Sequence, residues 1–129
     1  MNLLNKIFGK TTEPRKEKEL PWVPLTHLSQ LEDIKERSKH KTQLLFKHST
    51  RCGISSMVMN QFVKAYDNVY DFDLYYLDLL NYREISNEVA NTFQVIHESP
   101  QLLVIANGRV VAYESHGAIN EINLEQFVF

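Results

Sequence analysis

The stretch Phe46-Lys47-His48-Ser49-Thr50-Arg51-Cys52-Gly53-Ile54-Ser55 joins a predicted strand to a predicted helix through the one cysteine of the chain. The apolar run that ends at Phe46 predicts a strand over residues 42–47. Apolar side chains then recur at helical spacing, which predicts a helix over residues 53–66. Cys52 is therefore expected in the first turn of a helix that directly follows a strand.

This placement gives Cys52 a chemical role to consider. The first turn of a helix has unpaired amides and the positive end of the helix dipole, and both stabilise a thiolate, the nucleophilic form of cysteine. Arg51 and Lys47 are expected to add positive potential, His48 is a candidate for tuning the thiol, and the Ser55 hydroxyl is expected to donate to the sulfur. The alternative is a buried, inert Cys52, since a free cysteine often packs as a small hydrophobic residue. The position between strand and helix favours the reactive interpretation.

The remaining pattern predicts an alternation of helices and strands. The predicted elements are a helix over about 29–40, the strand and helix around Cys52, a strand over 72–77, a helix around 85–93, strands over 101–106 and 110–114, and a helix over 120–127. Asn107-Gly108 between the last two strands predicts a hairpin, because a type I′ turn needs positive φ at both positions.

Strands joined through helices pair in parallel, whereas the two strands of a hairpin pair antiparallel. The predicted fold class is therefore α/β, with a small mixed four-stranded sheet flanked by helices. We expect one domain over residues 21–129, preceded by an N-terminal tail or linker over residues 1–20, where the composition is typical of a linker.

Composition excludes several classes of protein. The 129 residues are 43% hydrophobic and 23% charged, which fits one folded domain. The net charge of -2 does not indicate a nucleic-acid partner. The longest apolar run is Leu102 to Ala106, so no transmembrane helix or membrane partner is expected. A single cysteine rules out an internal disulfide and fits a reducing compartment such as the cytoplasm. The five histidines lack paired metal-ligand spacing, so no metal site is predicted.

Pro100 follows Ser99 and stands directly before the predicted strand over residues 101–106. A cis bond between these residues would expose a neighbouring backbone edge to an extended substrate. The alternative is a trans proline that begins an edge strand. The spacing in the sequence does not decide between the two.

Several of these motifs together resemble a known family. The order of Cys52-Gly53-Ile54-Ser55, Ser99-Pro100, Asn107-Gly108 and Gly117 resembles a thioredoxin-like fold. The longer stretch from Phe46 to Ser55 and the sequence His97-Glu98-Ser99-Pro100-Gln101 resemble the monothiol bacilliredoxins of the YtxJ type, over about residues 22–129. The resemblance implies that Pro100 is cis and faces Cys52 across a shallow groove.

The same resemblance implies a thiol–disulfide oxidoreductase that removes bacillithiol, a low-molecular-weight thiol, from mixed disulfides on client proteins. Cys52 would be the catalytic nucleophile, bacillithiol a co-substrate, and no cofactor tightly bound. The implied substrate-binding residues are Thr50, Arg51, Gly53, Ser55, Ser99 and Pro100. Because the chain has no second cysteine, turnover needs an external thiol. A cytoplasmic monomer is expected.

Two other functions remain open at this point. Cys-Gly-Ile-Ser is similar to the Cys-Gly-Phe-Ser of monothiol glutaredoxins, which would imply an iron–sulfur cluster carrier. Against this, Tyr113-Glu114-Ser115-His116-Gly117 lacks the glutathione-binding pattern of that family. The third possibility is a non-catalytic thioredoxin-like module that binds partners at the Ser99-Pro100 edge.

Overall fold

The computed structural model describes residues 18–129. Helices lie on both faces of one sheet, and a cysteine-bearing loop lies at one end of it. The strands and α-helices in chain order are β1 (Val23–Pro24), α1 (Gln30–Arg37), β2 (Gln43–His48), α2 (Gly53–Ala65), β3 (Asp73–Asp78), α3 (Arg83–Phe93), β4 (Gln101–Ala106) and β5 (Arg109–Ser115). Three short 3₁₀ helices span Asn68–Tyr70, His116–Glu121 and Leu124–Phe127.

The sheet has five strands in the order β1-β3-β2-β4-β5. β2 and β3 pair in parallel, while β4 pairs antiparallel with both β2 and β5, so the mixed sheet is confirmed. The predicted number of four strands is wrong, because Val23–Pro24 adds a parallel edge to β3. A strand of two residues has too little alternation to be recognised in the sequence. Its proline is tolerated because the strand lies at the sheet edge.

The packed part of the chain begins before the predicted boundary at Pro21. Leu20 is buried and belongs to the hydrophobic core. Trp22, two residues later, packs its ring 6.1 Å from the ring of Phe46 and 6.0 Å from that of Phe62. The rest of the predicted tail, residues 1–17, lies outside the described residues.

The core forms two layers, one on each face of the sheet. Because side chains alternate along a strand, Leu44 and Phe46 of β2 pack under α2, whereas Leu45 packs under α1 and α3. The same alternation directs His48 to the α2 face and Lys47 to the α1–α3 face. This division determines which polar side chains of β2 lie near Cys52.

The Asn107-Gly108 hairpin is confirmed, with φ of 54° at Asn107 and 81° at Gly108. The predicted terminal helix over residues 120–127 is wrong, because the chain forms the two 3₁₀ helices His116–Glu121 and Leu124–Phe127 instead. The apolar residues of this segment follow spacings of two and three, which match the three-residue turn of a 3₁₀ helix better than the 3.6-residue turn of an α-helix. They are Ile119, Ile122, Leu124 and Phe127.

The strand register brings several loops to one end of the sheet. His48, the last residue of β2, lies opposite Asp78, the last residue of β3. Lys47 lies opposite Gln101, the first residue of β4. The Cys52 loop, which follows β2, and the Ser99-Pro100 segment, which precedes β4, therefore lie at the same end.

Candidate functional site

Cys52 is the N-cap residue of α2, as the sequence predicts. Its backbone is extended, with φ of -103° and ψ of 119°. Its carbonyl accepts the amide of Ser56 at 3.1 Å, and its own amide donates to the carbonyl of Ser49 at 3.2 Å. The side chain is half-buried and forms no disulfide. The sulfur therefore lies at the N-terminal, positive end of a thirteen-residue helix.

Ser55 lies beneath the first turn of α2 and is fully buried. Its Oγ lies 2.7 Å from Nδ1 of His48 and accepts the amide of Ser49 at 3.1 Å. The predicted donation from Ser55 to the sulfur of Cys52 is not found, because the helical turn directs Ser55 into the protein with Val58 and Phe62. Ser55 instead binds the start of the Cys52 loop to the helix.

His48 is buried between Ser55 and the neighbouring strand. Burial lowers the pKa of His48, and the carboxylate of Asp78 acts in the opposite direction. Its ring centroid lies 5.7 Å from that of Tyr76. His48 therefore contacts the serine of the C-x-x-S motif and has no recorded hydrogen bond to Cys52 itself.

The bond between Ser99 and Pro100 is cis, in agreement with the resemblance noted in the sequence. Pro100 is buried, and its carbonyl accepts the amide of His116 at 2.9 Å. The Ser99 hydroxyl oxygen is buried and has no hydrogen-bond partner among residues 18–129. This segment thus brings an unpaired hydroxyl to the same end of the sheet as Cys52.

The other predicted site residues next to Cys52 lie at the surface. Thr50, Arg51 and Gly53 are exposed on either side of Cys52. Ile54 and Ile96 are also exposed, at 59% and 84%, in the first turn of α2 and in the segment before Pro100. These positions leave polar and apolar groups open to a ligand, and their roles in binding stay predictions.

Lys47 does not point toward Cys52, although its position in the sequence suggests added charge there. It is completely buried on the α1–α3 face, where Nζ lies 3.2 Å from Nδ1 of His97. Ser86 Oγ lies 3.4 Å from the same nitrogen. The sequence patterns alone do not predict a role for His97. Side chains alternate along β2, so Lys47 shares the buried α1–α3 face of the sheet with Leu45. This alternation is the sequence signal that places Lys47 on that face.

Within residues 18–129 no group of three or more histidine, cysteine, aspartate or glutamate side chains could hold a metal ion. In the same part of the chain, no helix has the length and apolar character needed to span a bilayer.

The class of the protein follows from this sheet together with a cysteine at the N-cap of α2 and a cis-proline at the start of β4. These features define a thiol redox protein of the thioredoxin fold with a single cysteine. The chain belongs to the family described as monothiol bacilliredoxin BrxC, whose model matches residues 23–124. The family thus agrees with the resemblance seen in the sequence.

Solved structures agree with this class. The chain is similar to a protein described as an oxidoreductase with a thioredoxin fold, at 36% identity and a TM-score of 0.69, over 81% of this chain and 90% of the other. Thioredoxin from Malassezia sympodialis (Mala s 13) matches at 16% identity and a TM-score of 0.68, over 91% and 99%. Thioredoxin from Trypanosoma brucei brucei matches at 12% and 0.66, over 89% and 94%. The two thioredoxins support the fold alone.

Proposed function

We propose that the protein removes bacillithiol from mixed disulfides on client proteins, with Cys52 as the catalytic nucleophile. The observation that carries the proposal is the position of Cys52, the single cysteine of the chain, at the N-cap of α2. A helix N-terminus stabilises the attacking thiolate, and no second thiol of the chain competes for the adduct.

The exchange conserves electrons at each step. The Cys52 thiolate attacks the bacillithiol sulfur of the mixed disulfide, a bond forms between these two sulfurs, and the client leaves as a thiolate. A second low-molecular-weight thiolate then attacks the bacillithiol sulfur of the adduct and releases Cys52. Bacillithiol thus acts as a co-substrate and is not retained as a cofactor.

The exposed and half-buried residues around Cys52 suit this ligand. Thr50, Arg51 and Gly53 flank the sulfur, and Ser99-Pro100 forms the second binding segment at the same end of the sheet. Exposed Ile54 offers an apolar contact for the client protein. Ser55 supports the loop from below through its bonds to His48 and Ser49.

We also propose that the protein acts in a reducing cytoplasm, where free thiols can regenerate Cys52. In this proposal the protein is a monomer that binds neither nucleic acid nor membrane, in keeping with the net charge of -2.

Intact mass spectrometry tests the proposal directly. The protein, incubated with a client that carries one bacillithiol, should gain one bacillithiol mass while the client loses it. Cys52→Ala should leave both masses unchanged. A client capped with glutathione measures the preference for bacillithiol. Absence of transfer to the wild-type protein would contradict the proposal, and a brown, cluster-loaded protein after anaerobic purification would favour an iron–sulfur carrier.

A further inference from the structure

The residues around His97 form a cationic and hydrogen-bonding cluster close to the Ser99-Pro100 segment. Lys47 is completely buried, and its Nζ lies 3.2 Å from Nδ1 of His97. Within residues 18–129 Lys47 forms no salt bridge with a carboxylate. A buried ammonium without an anionic partner leaves positive potential around its one recorded neighbour.

The contact with Lys47 fixes which nitrogen of His97 bears the proton. An ammonium group only donates hydrogen bonds, so Nδ1 of His97 must accept, and the ring proton of the neutral imidazole lies on Nε2. His97 itself is exposed. The ring therefore offers an N–H donor that a ligand can reach, while Lys47 holds its other nitrogen from inside the protein.

Further charges near His97 are mainly positive. Burial and the charges of Lys47 and Arg83 lower its pKa, whereas Glu98 acts weakly in the opposite direction. Glu98 lies 3.9 Å from Nδ1 of His116, so its carboxylate is turned toward a second imidazole. Arg83 is exposed at the start of α3 and is free to contact a ligand at this place.

The backbone holds His97 at the end of the sheet where the Cys52 loop lies. His97 precedes the cis bond by two residues, and Gln101 Nε2 donates to the carbonyl of Ile96 at 3.0 Å. Gln101 also lies directly opposite Lys47 across β2 and β4. The donor on His97 is thus tied to the segment that lies at the same end as Cys52.

We propose that His97, held by Lys47 and assisted by Arg83, binds a carboxylate of the low-molecular-weight thiol that exchanges at Cys52. This subsite rests on the proposed function, which it deepens by giving the protein a preference for thiols that bear carboxylates. A neutral thiol reacts at the same sulfur but gains nothing from the subsite.

Two disulfides of known chemistry test the preference. The probes are the symmetric disulfide of mercaptosuccinate, which carries carboxylates, and bis(2-hydroxyethyl) disulfide, which is neutral. In each reaction the Cys52 thiolate attacks one sulfur, forms a mixed disulfide and expels the other half as a thiolate. The measured quantity is the ratio of the two second-order rate constants, so a general change in Cys52 reactivity cancels.

His97→Ala should lower this ratio about tenfold, the effect of losing one charge-assisted hydrogen bond. Arg83→Gln and Lys47→Met should lower it by smaller factors. His40→Ala and Arg109→Gln, at the opposite end of the sheet, serve as controls and should leave it unchanged. An unchanged ratio in His97→Ala overturns the subsite, while reaction with the neutral disulfide would still support exchange at Cys52.

A second measurement does not require reactivity. Succinate added to Cys52→Ala should shift the NMR signals of the His97 imidazole in a saturable manner and should leave those of His40 unchanged. The absence of a shift at His97 overturns the subsite. If wild-type protein reacts with neither disulfide, the exchange function fails, and the succinate titration still decides the subsite.

Discussion

His48 and Ser55 are joined by a hydrogen bond of 2.7 Å between the imidazole Nδ1 and the hydroxyl Oγ, and both side chains are buried. The same oxygen accepts the amide of Ser49. A serine at the position of the second cysteine of a C-x-x-C motif is therefore part of the structural support of the loop. Its replacement should therefore affect both folding and the proposed exchange.

Ser55→Ala should lower the free energy of unfolding by about 1–3 kcal/mol, because it leaves a buried imidazole nitrogen and a backbone amide without their partner. Urea denaturation of the variant and the wild type measures the difference. Ser56→Ala is the matched control, since the neighbouring serine is only half-buried and should cost much less. Equal losses in the two variants would contradict the structural role of Ser55.

Ser55→Cys should change the fate of the Cys52 adduct. A second thiol at this spacing lies within disulfide-forming reach, so it should attack the mixed disulfide, form an internal disulfide and release the free thiol. The wild-type adduct should persist without added thiol, because the chain contains no other cysteine. Mass spectrometry of both adducts over time measures their lifetimes, and equal lifetimes would refute the one-thiol mechanism.

Lys47→Met should stabilise the protein at neutral pH and alter its pH dependence. Burial lowers the pKa of Lys47 from 10.5 to about 8. Between these values the unfolded chain binds the proton and the folded protein does not, so the free energy of unfolding rises with pH, by up to about 1.4 kcal/mol per pH unit.

This rise should be present in the wild type and absent in Lys47→Met, as measured by urea denaturation between pH 7 and pH 10.5. Lys64→Met, at an exposed lysine of α2, should retain it. Parallel curves for the wild type and Lys47→Met would mean that Lys47 keeps an ordinary titration in the folded protein.

Gly53→Pro should stabilise the protein by about 0.4–1 kcal/mol, because proline suits the first helical position and restricts the unfolded chain. Cys52 already has the extended backbone that a following proline requires. A Cβ at Gly53 would meet no atom within 4 Å. Thermal unfolding measures the gain, and Gly108→Pro, at φ of 81°, is a control that should destabilise.

Local chemistry explains which parts of the fold could be predicted. The hairpin follows from Asn107-Gly108 alone, because these two residues tolerate positive φ. The helix after Cys52 follows from the spacing of its own apolar residues. The prediction of a C-terminal α-helix is wrong because the apolar residues of that segment do not keep a helical period. The edge strand Val23–Pro24 depends on β3, fifty residues later, and has no local signal.

The polar pairs of the site mark the limit of prediction from sequence. His48 and Ser55 are seven residues apart and belong to different elements, and Lys47 and His97 are fifty apart. These side-chain contacts depend on strand register and on the crossing of α2 over the sheet, which short sequence patterns do not encode. Proximity in sequence therefore suggested that Lys47 serves Cys52, whereas the alternation of β2 turns it to the other face.

The loop between His48 and Cys52 is held at both ends and in its middle. Leu79 donates its amide to the carbonyl of His48, Ser55 binds Ser49, and Ser49 accepts the amide of Cys52. The backbone of Cys52 is consequently preorganised: its geometry is established when the protein folds, before any substrate arrives. The proposed exchange at Cys52 should therefore require little ordering of this loop, and its rate should reflect encounter and sulfur chemistry.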